Sequence, residues 1–434
     1  MSRKIAVIGG GVAGLAAAFE AADAGANVTL LEMAPHLGGR AAGGTSFDTG
    51  RHLVSTAYTD FLWLTERIGS LNTLTLIPQQ YGILAKRRVL WWQIGSMAGP
   101  GLSLLASPLL PLNVRFSSLP VLLKTLRAAP AEPTDDELAG QPGEPFPALP
   151  SPSVAERLAE LGWPRKLYER IGEPVAIGML NAQPEEVSFA PYLAALKRVF
   201  ADPERKSGWV RGNCGNLLTD PAPAALESTG VRVLLSTRVS SVNREGDGWR
   251  IESDGSGERF DAVIIALPLN KLTLLENCRE AEQLVEASQD VGGKTIVTCR
   301  GHFNDIEAMP GYFADSSGER AIWFAEPHPE GGVLVERVIS GLPEEWRKTP
   351  AEMIEDFTDR AGIIWRGARP VKTSLRWYPL ATPTLRPGLR RPTARIAEGG
   401  LYYASDASAT GLPATLESAA RAGRLAGRLA SSEV

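Results

Sequence analysis

Gly9, Gly11 and Gly14 satisfy G-x-G-x-x-G where a short apolar run, Lys4 to Ile8, gives way to small helix-forming residues. Gly9 allows a tight turn, Gly11 and the neighbouring Ala13 let an anionic group approach the backbone, and Gly14 brings helix and strand together. A second apolar run, Asn27 to Leu31, leads into Glu32, at the place where a carboxylate accepts both hydroxyls of a ribose. The chemistry served by this spacing is retention of a dinucleotide by its pyrophosphate and adenosine ribose. An acid at position 32 repels a 2′-phosphate, so adenosine without that group is expected.

Two further segments select the dinucleotide. His36-Leu37-Gly38-Gly39-Arg40 followed by Phe47-Asp48-Thr49-Gly50 resembles a motif of the amine oxidase and carotenoid desaturase superfamily of FAD enzymes. The resemblance implies that Gly39 and Arg40 lie along the flavin side of the cofactor. The run Tyr402 to Glu417 is similar to the second FAD signature of that superfamily, which implies that Asp406 meets the ribityl-phosphate region and that Thr415 lies beside the flavin. Pro413 suits the first turn of the helix that follows, whose positive end would face the pyrimidine edge. Ser236-Thr237-Arg238-Val239 resembles the strand whose backbone holds adenine, with Val239 at the contact. No Cys or His stands where the superfamily's covalent flavin links form, so noncovalent FAD is expected.

Glu173-Pro174-Val175-Ala176 and Leu180 to Ser188 are similar to segments of the hydroxysqualene dehydroxylases, and the likeness also takes in His52, Ser153 to Glu156 and Thr410 to Glu417. Ile171-Gly172 and Ser405-Asp406-Ala407 depart from that pattern at the substrate pocket. The family reaction replaces an allylic hydroxyl on a long-chain isoprenoid with hydride, which needs an apolar tunnel and a proton donor. Glu173 and His52 are the candidate catalytic residues, Glu173 ranked first and Glu186 third. A buried glutamate can have its pKa raised enough to donate, and a histidine titrates near neutrality. The plainer readings are a helix boundary for Glu173 before Pro174 and a structural hydrogen bond for His52. Three alternatives stay open: a carotene desaturase, an amine oxidase with Trp377 and Tyr378 in an aromatic cage, and a non-catalytic isoprenoid-carrying flavoprotein. No motif names an electron donor or acceptor.

Around these residues the 434-residue chain has the composition of an ordinary globular protein, with 45 basic and 49 acidic residues. A net charge of −4 gives no drive toward nucleic acid, and three scattered cysteines with four histidines argue against a disulfide framework or a metal site. The glycines at 9, 10, 11 and 14 interrupt the N-terminal apolar run too early for a signal peptide, so a cytoplasmic location is expected. Prolines and glycines equally exclude a spanning helix over Val89 to Val114. Leu102 to Leu126, with Leu104, Leu105 and Leu109, reads either as a core layer or as a tunnel mouth touching the inner leaflet of the membrane.

The order β-turn-α-β opens an α/β fold with a discontinuous Rossmann-like FAD-binding domain, residues 1–65, 205–270 and 395–434. A mixed α+β substrate-binding domain takes residues 66–204 and 271–394. Helices are expected at Leu15–Ala24, Tyr58–Ile68, Val154–Leu161, Arg165–Leu180, Ala190–Phe200, Ala351–Ile364 and Pro413–Leu429. Val231–Leu235, Val239–Asn243 and Trp249–Ser253 read as an antiparallel ribbon beside a buried strand, Ala262–Ala266. A hairpin is expected at Ile83–Trp92, and a further sheet at Ile296–Arg300, Ala321–Phe324 and Val333–Ile339. Residues 128–152 read as a surface loop unable to order itself.

Overall fold

The computed structural model describes residues 2–42, 51–210, 214–275, 278–315, 320–342, 346 and 348–432. Lys4–Ile8 pairs in parallel with Asn27–Leu31 on one side and Ala262–Ile265 on the other. These strands are covered on both faces, which is why they read as unbroken apolar runs. Among the described residues they belong to a six-stranded sheet in the order Arg395–Ala397, Leu401–Tyr403, Ala262–Ile265, Lys4–Ile8, Asn27–Leu31, Arg232–Leu234. The chain is therefore α/β, with its first crossover made by the buried helix Val12–Asp23.

The last helix, Leu416–Ser432, lies directly on Val12–Asp23. Its glycines set the separation: a Cβ on Gly423 would stand 2.1 Å from the Ala13 carbonyl oxygen, and one on Gly427 2.7 Å from that of Ala17. Only helices stripped of side chains at the crossing approach this closely. The pairing brings two helix N-termini to the same end of the sheet.

A second, mostly antiparallel sheet of seven strands among the described residues runs Lys372–Pro383, Gly293–Phe303, Val333–Ile339, Ala321–Pro327, Phe313–Asp315, Tyr81–Ala85, Arg88–Trp92. A small sheet of Leu53–Ser55, Lys206–Val210 and Leu74–Pro78 joins the two regions. The hairpin turns at Lys86, which takes φ +58°. The Ser153–Glu156 capping box opens Val154–Glu160, with both reciprocal bonds made. Arg165–Leu180 is one continuous helical run that widens to a π-turn at Tyr168–Gly172.

Three expectations need correction, and one open reading is decided in part. Arg232–Leu234 is no part of the ribbon; it pairs in parallel with Asn27–Leu31 at the sheet edge, and the ribbon's third strand is instead Ser256–Phe260. A three-residue edge strand carries too little pattern to show its partner. Residues 128–152 are ordered around a short helix, Asp135–Ala139, opened by a Thr134–Glu137 capping box and pinned by buried Leu138 and Phe146. Two apolar anchors and a cap suffice where average composition suggested none. Pro413 precedes the terminal helix rather than starting it, because Thr415 accepts from the Ser418 amide and so caps the helix at Leu416. Of the two readings open for Leu102 to Leu126, the core one holds for Leu104, on the helix Gly99–Ala106, and for Leu109, ahead of Leu112–Arg127, both fully buried. Among the described residues no helix is long and apolar enough to cross a membrane.

Candidate active site

The strand end Ile8, the loop Gly9–Gly11 and the N-terminus of Val12–Asp23 open onto one continuous cavity of about 1350 Å³. Gly9 takes φ +105°, and a Cβ there would sit 2.6 Å from the Ala266 carbonyl oxygen. On Gly14 it would meet the Gly9 carbonyl oxygen at 1.8 Å, whereas on Gly11 the nearest atom would be 3.9 Å away. Gly14 thus seals the turn from below, and the space over Gly11 stays open on the cavity side. Gly38 donates its amide to the Gly10 carbonyl at 2.8 Å, which lays Gly39 and Arg40 along the same opening.

Glu32 stands at the rim, its two carboxylate oxygens accepting from the Gly10 amide at 2.6 Å and the Ala34 amide at 2.7 Å. Thr237, Arg238, Val239 and Ser240 form the facing wall. Arg40 Nη2 meets Asp406 Oδ1 at 2.5 Å, and Asp406 raises the arginine's pKa against the opposing effect of burial. Open backbone over Gly11, a free helix N-terminus behind it, a carboxylate at the ribose position and an arginine at the far end fit an adenine dinucleotide.

The structure thus gathers Gly9, Gly11, Ala13, Glu32, Gly39, Arg40, His52, Val239, Asp406 and Thr415 around one cavity, with Gly14 packed directly beneath. Asp48 and Gly50 lie outside the described residues. Glu173 is not in the group. On the helical run Tyr168–Leu180, Ile171, Pro174, Val175, Gly178 and Met179 form the face toward the cavity, spaced by three and four residues. Glu173 falls on another side, where its carboxylate accepts from Arg320 at 2.7 Å. Glu186 is likewise committed, to Lys294 at 2.7 Å and the Gln183 amide at 2.9 Å.

Past the cradle the cavity wall becomes apolar and aromatic, with Trp92, Leu196, Val199, Phe200, Ile322 and Phe324. Three tyrosines interrupt it: Tyr58, Tyr81 and Tyr312. Burial pushes the Tyr58 and Tyr312 phenols up to about 12. Tyr58 stands beside Thr415, at the mouth of the terminal helix. Beside it the buried Glu417 carboxylate accepts from the Phe61 amide at 2.9 Å and from Arg198 at 3.0 Å.

Sequence reasoning missed two supports of this site. Arg391, fully buried, donates to the carbonyls of Asp406 at 3.1 Å, Ala407 at 3.1 Å and Leu412 at 2.8 Å. Burial lowers its pKa to about 10, which leaves it charged at neutral pH. Arg51, next to His52, bonds Glu336 at 2.6 Å and Glu326 at 2.5 Å and so fastens the segment carrying His52 to the seven-stranded sheet. Neither arginine is a defining position of a motif, and only its hydrogen-bond partners reveal its part.

Comparison with known proteins agrees with this geometry. The chain is 24% identical to the hydroxysqualene dehydroxylase of Rhodopseudomonas palustris, over 99% of its own length and 98% of that protein's. It is also 24% identical to the 15-cis-phytoene desaturase of Solanum lycopersicum, over 97% of its length and 76% of the other. Its fold is that of the cyclohexylamine oxidase of Brevibacterium oxydans, with a TM-score of 0.73 at 19% identity, covering 100% of this chain and 99% of that one. The profile of flavin containing amine oxidoreductases matches residues 12–430, nearly the whole length over which cradle and apolar wall are assembled, and the chain belongs to that family of flavin-dependent oxidoreductases.

Proposed function

We propose that this protein removes the hydroxyl of hydroxysqualene reductively, giving squalene and water, with FAD held noncovalently in the glycine cradle. The observation that carries this reading is the continuity of the cavity: a polar cradle opens without a break into an apolar, aromatic space. At about 1350 Å³ the whole exceeds the roughly 300–1,000 Å³ of ordinary small-molecule pockets, as a dinucleotide plus a long hydrocarbon requires. The match to the dehydroxylase over both full lengths supports the choice of substrate.

Bound FAD, once reduced by two electrons, supplies the hydride. The chain's own residues do the rest. Ile171, Val175, Met179 and Phe324 keep water from the reacting carbon. His52, the one proposed donor that lines the cavity, gives a proton from a ring nitrogen to the departing hydroxyl oxygen as the C–O bond breaks. The released oxygen leaves as water, and hydride closes the carbon.

Membrane contact belongs to the same reading, since the substrate dissolves in lipid. Leu112, Phe116 and Leu123 form an exposed stripe at helical spacing on Leu112–Arg127, flanked by exposed Leu102 and Met97. Lys124 and Arg127 adjoin it, and no Asp or Glu occurs from residue 89 to residue 131. That composition suits an anionic inner-leaflet surface.

Carotene desaturation is the second reading, favoured by the match to the tomato phytoene desaturase. Incubating the chemically reduced protein with hydroxysqualene, and the oxidised protein with phytoene, separates the two by product. Squalene from the first incubation supports dehydroxylation; a more conjugated polyene from the second alone refutes it.

A further inference from the structure

The chain has eight tyrosines. Five have their hydroxyls bonded within the protein: Tyr81 to the Arg170 carbonyl, Tyr168 to Glu185, Tyr192 to the Gly172 carbonyl, Tyr402 to the Leu429 carbonyl and Tyr403 to Ser405; a sixth, Tyr58, has the Thr415 side chain beside it. The remaining two, Tyr312 and Tyr378, have no hydroxyl partner among the described residues, and both line the cavity. Buried polar groups are seldom left without a bond, so a phenol of this kind faces either water or a ligand.

The two phenols occupy different ends. Tyr378 stands near Arg40, on the cofactor side, between exposed Trp377 and Pro379. Tyr312 is set in the apolar wall. Its ring lies against Phe324 at 6.0 Å and meets Tyr81 edge-on at 6.5 Å, while its carbonyl accepts from the Gly82 amide at 3.3 Å. Phe324 also carries the Arg51 guanidinium over its ring at 5.6 Å. The phenol is therefore fixed in direction and shares a wall residue with the segment that presents His52.

A hydrocarbon filling this space would drive out the water and strand the phenol; an alcohol would replace the water's hydrogen bonds. We infer that the Tyr312 hydroxyl is the anchor for the substrate's oxygen, making Tyr312 the residue by which the cavity prefers a hydroxylated isoprenoid to the corresponding hydrocarbon. This rests on the dehydroxylation reading and names the group that recognises its substrate. Because burial holds the phenol's pKa near 12, it remains neutral and can both donate and accept.

The test uses oxidised holoprotein, which cannot deliver hydride, titrated with hydroxysqualene and separately with squalene, with the flavin absorbance as readout. Wild type should bind the alcohol roughly tenfold more tightly than the hydrocarbon, the size of one net hydrogen bond. Tyr312→Phe keeps both ring contacts and should bring that ratio close to one, with squalene affinity and FAD content unchanged. Tyr378→Phe should shift the flavin spectrum and leave the ratio as in wild type. The inference is overturned if wild type shows no preference, if Tyr312→Phe retains it, or if Tyr378→Phe is the variant that abolishes it. Turnover of hydroxysqualene by reduced wild type judges the dehydroxylation reading separately.

Discussion

Arg40 and Asp406, 366 positions apart in the chain, meet through Nη2 and Oδ1 at 2.5 Å. The contact joins the two motifs that flank the far end of the dinucleotide cradle. Behind Asp406, Arg391 gathers three carbonyls of the same loop, so one guanidinium faces the cavity and a second builds the wall that supports it.

Arg391→Lys therefore tests the supporting wall. An ammonium cannot reproduce the planar fork that serves three carbonyls, and an unsatisfied buried acceptor costs about 1–3 kcal/mol. FAD affinity of the apoprotein, measured by titration, should fall about 10- to 100-fold, with the denaturation midpoint lowered as well. Unchanged affinity would show that the 406–412 loop keeps its shape without Arg391.

Gly11→Val tests the cradle directly. The open space over Gly11 faces the cavity, and a branched side chain would occupy the place of the pyrophosphate. The variant should fold and purify colourless. On the proposed noncovalent linkage, wild type should release all of its flavin on denaturation. Stoichiometric FAD in the variant would contradict the assignment of this loop.

Much of this was legible in the residues. The β-turn-α-β opening, Glu32, the Gly38-Gly39-Arg40 segment and the terminal signature are local patterns, because each supplies its cavity-facing groups from a few consecutive positions. Tyr312 and Arg391 were not legible. Arg391 donates to carbonyls 15 to 21 positions further along, and Tyr312 packs against Tyr81 from a distant strand, so an isolated Tyr between Gly311 and Phe313, or an Arg before Pro392, carries no spacing to read. Glu173 is the converse case: its segment is similar to the dehydroxylase pattern, but helical geometry turns the neighbouring side chains toward the cavity and leaves the acid with Arg320.

The two candidate acids can now be separated. Glu173→Gln should leave the single-turnover rate near normal and cost at most about 1 kcal/mol of stability, the usual worth of a partly exposed ion pair. His52→Asn should slow that step by about 10²–10⁴-fold while FAD stays bound. A slow Glu173→Gln and a fast His52→Asn would return the role to Glu173.

The apolar stripe predicts a division among leucines. Replacing Leu112, Phe116 and Leu123 with Ser should weaken binding to anionic vesicles and leave folding intact, because these side chains are exposed. Leu104→Ser should instead destabilise the fold by about 2–5 kcal/mol, as a buried leucine truncated to a polar group does. Vesicle binding undiminished in the triple variant would remove the stripe as the contact.

The central claim is that this flavoprotein gives hydride to a hydroxylated isoprenoid. It is tested most directly by mixing anaerobically reduced wild type with one equivalent of hydroxysqualene while following flavin absorbance and analysing the product. Reoxidation of the flavin with formation of one equivalent of squalene is the predicted result. A flavin that stays reduced with hydroxysqualene, together with oxidised protein that is bleached by phytoene, would contradict it.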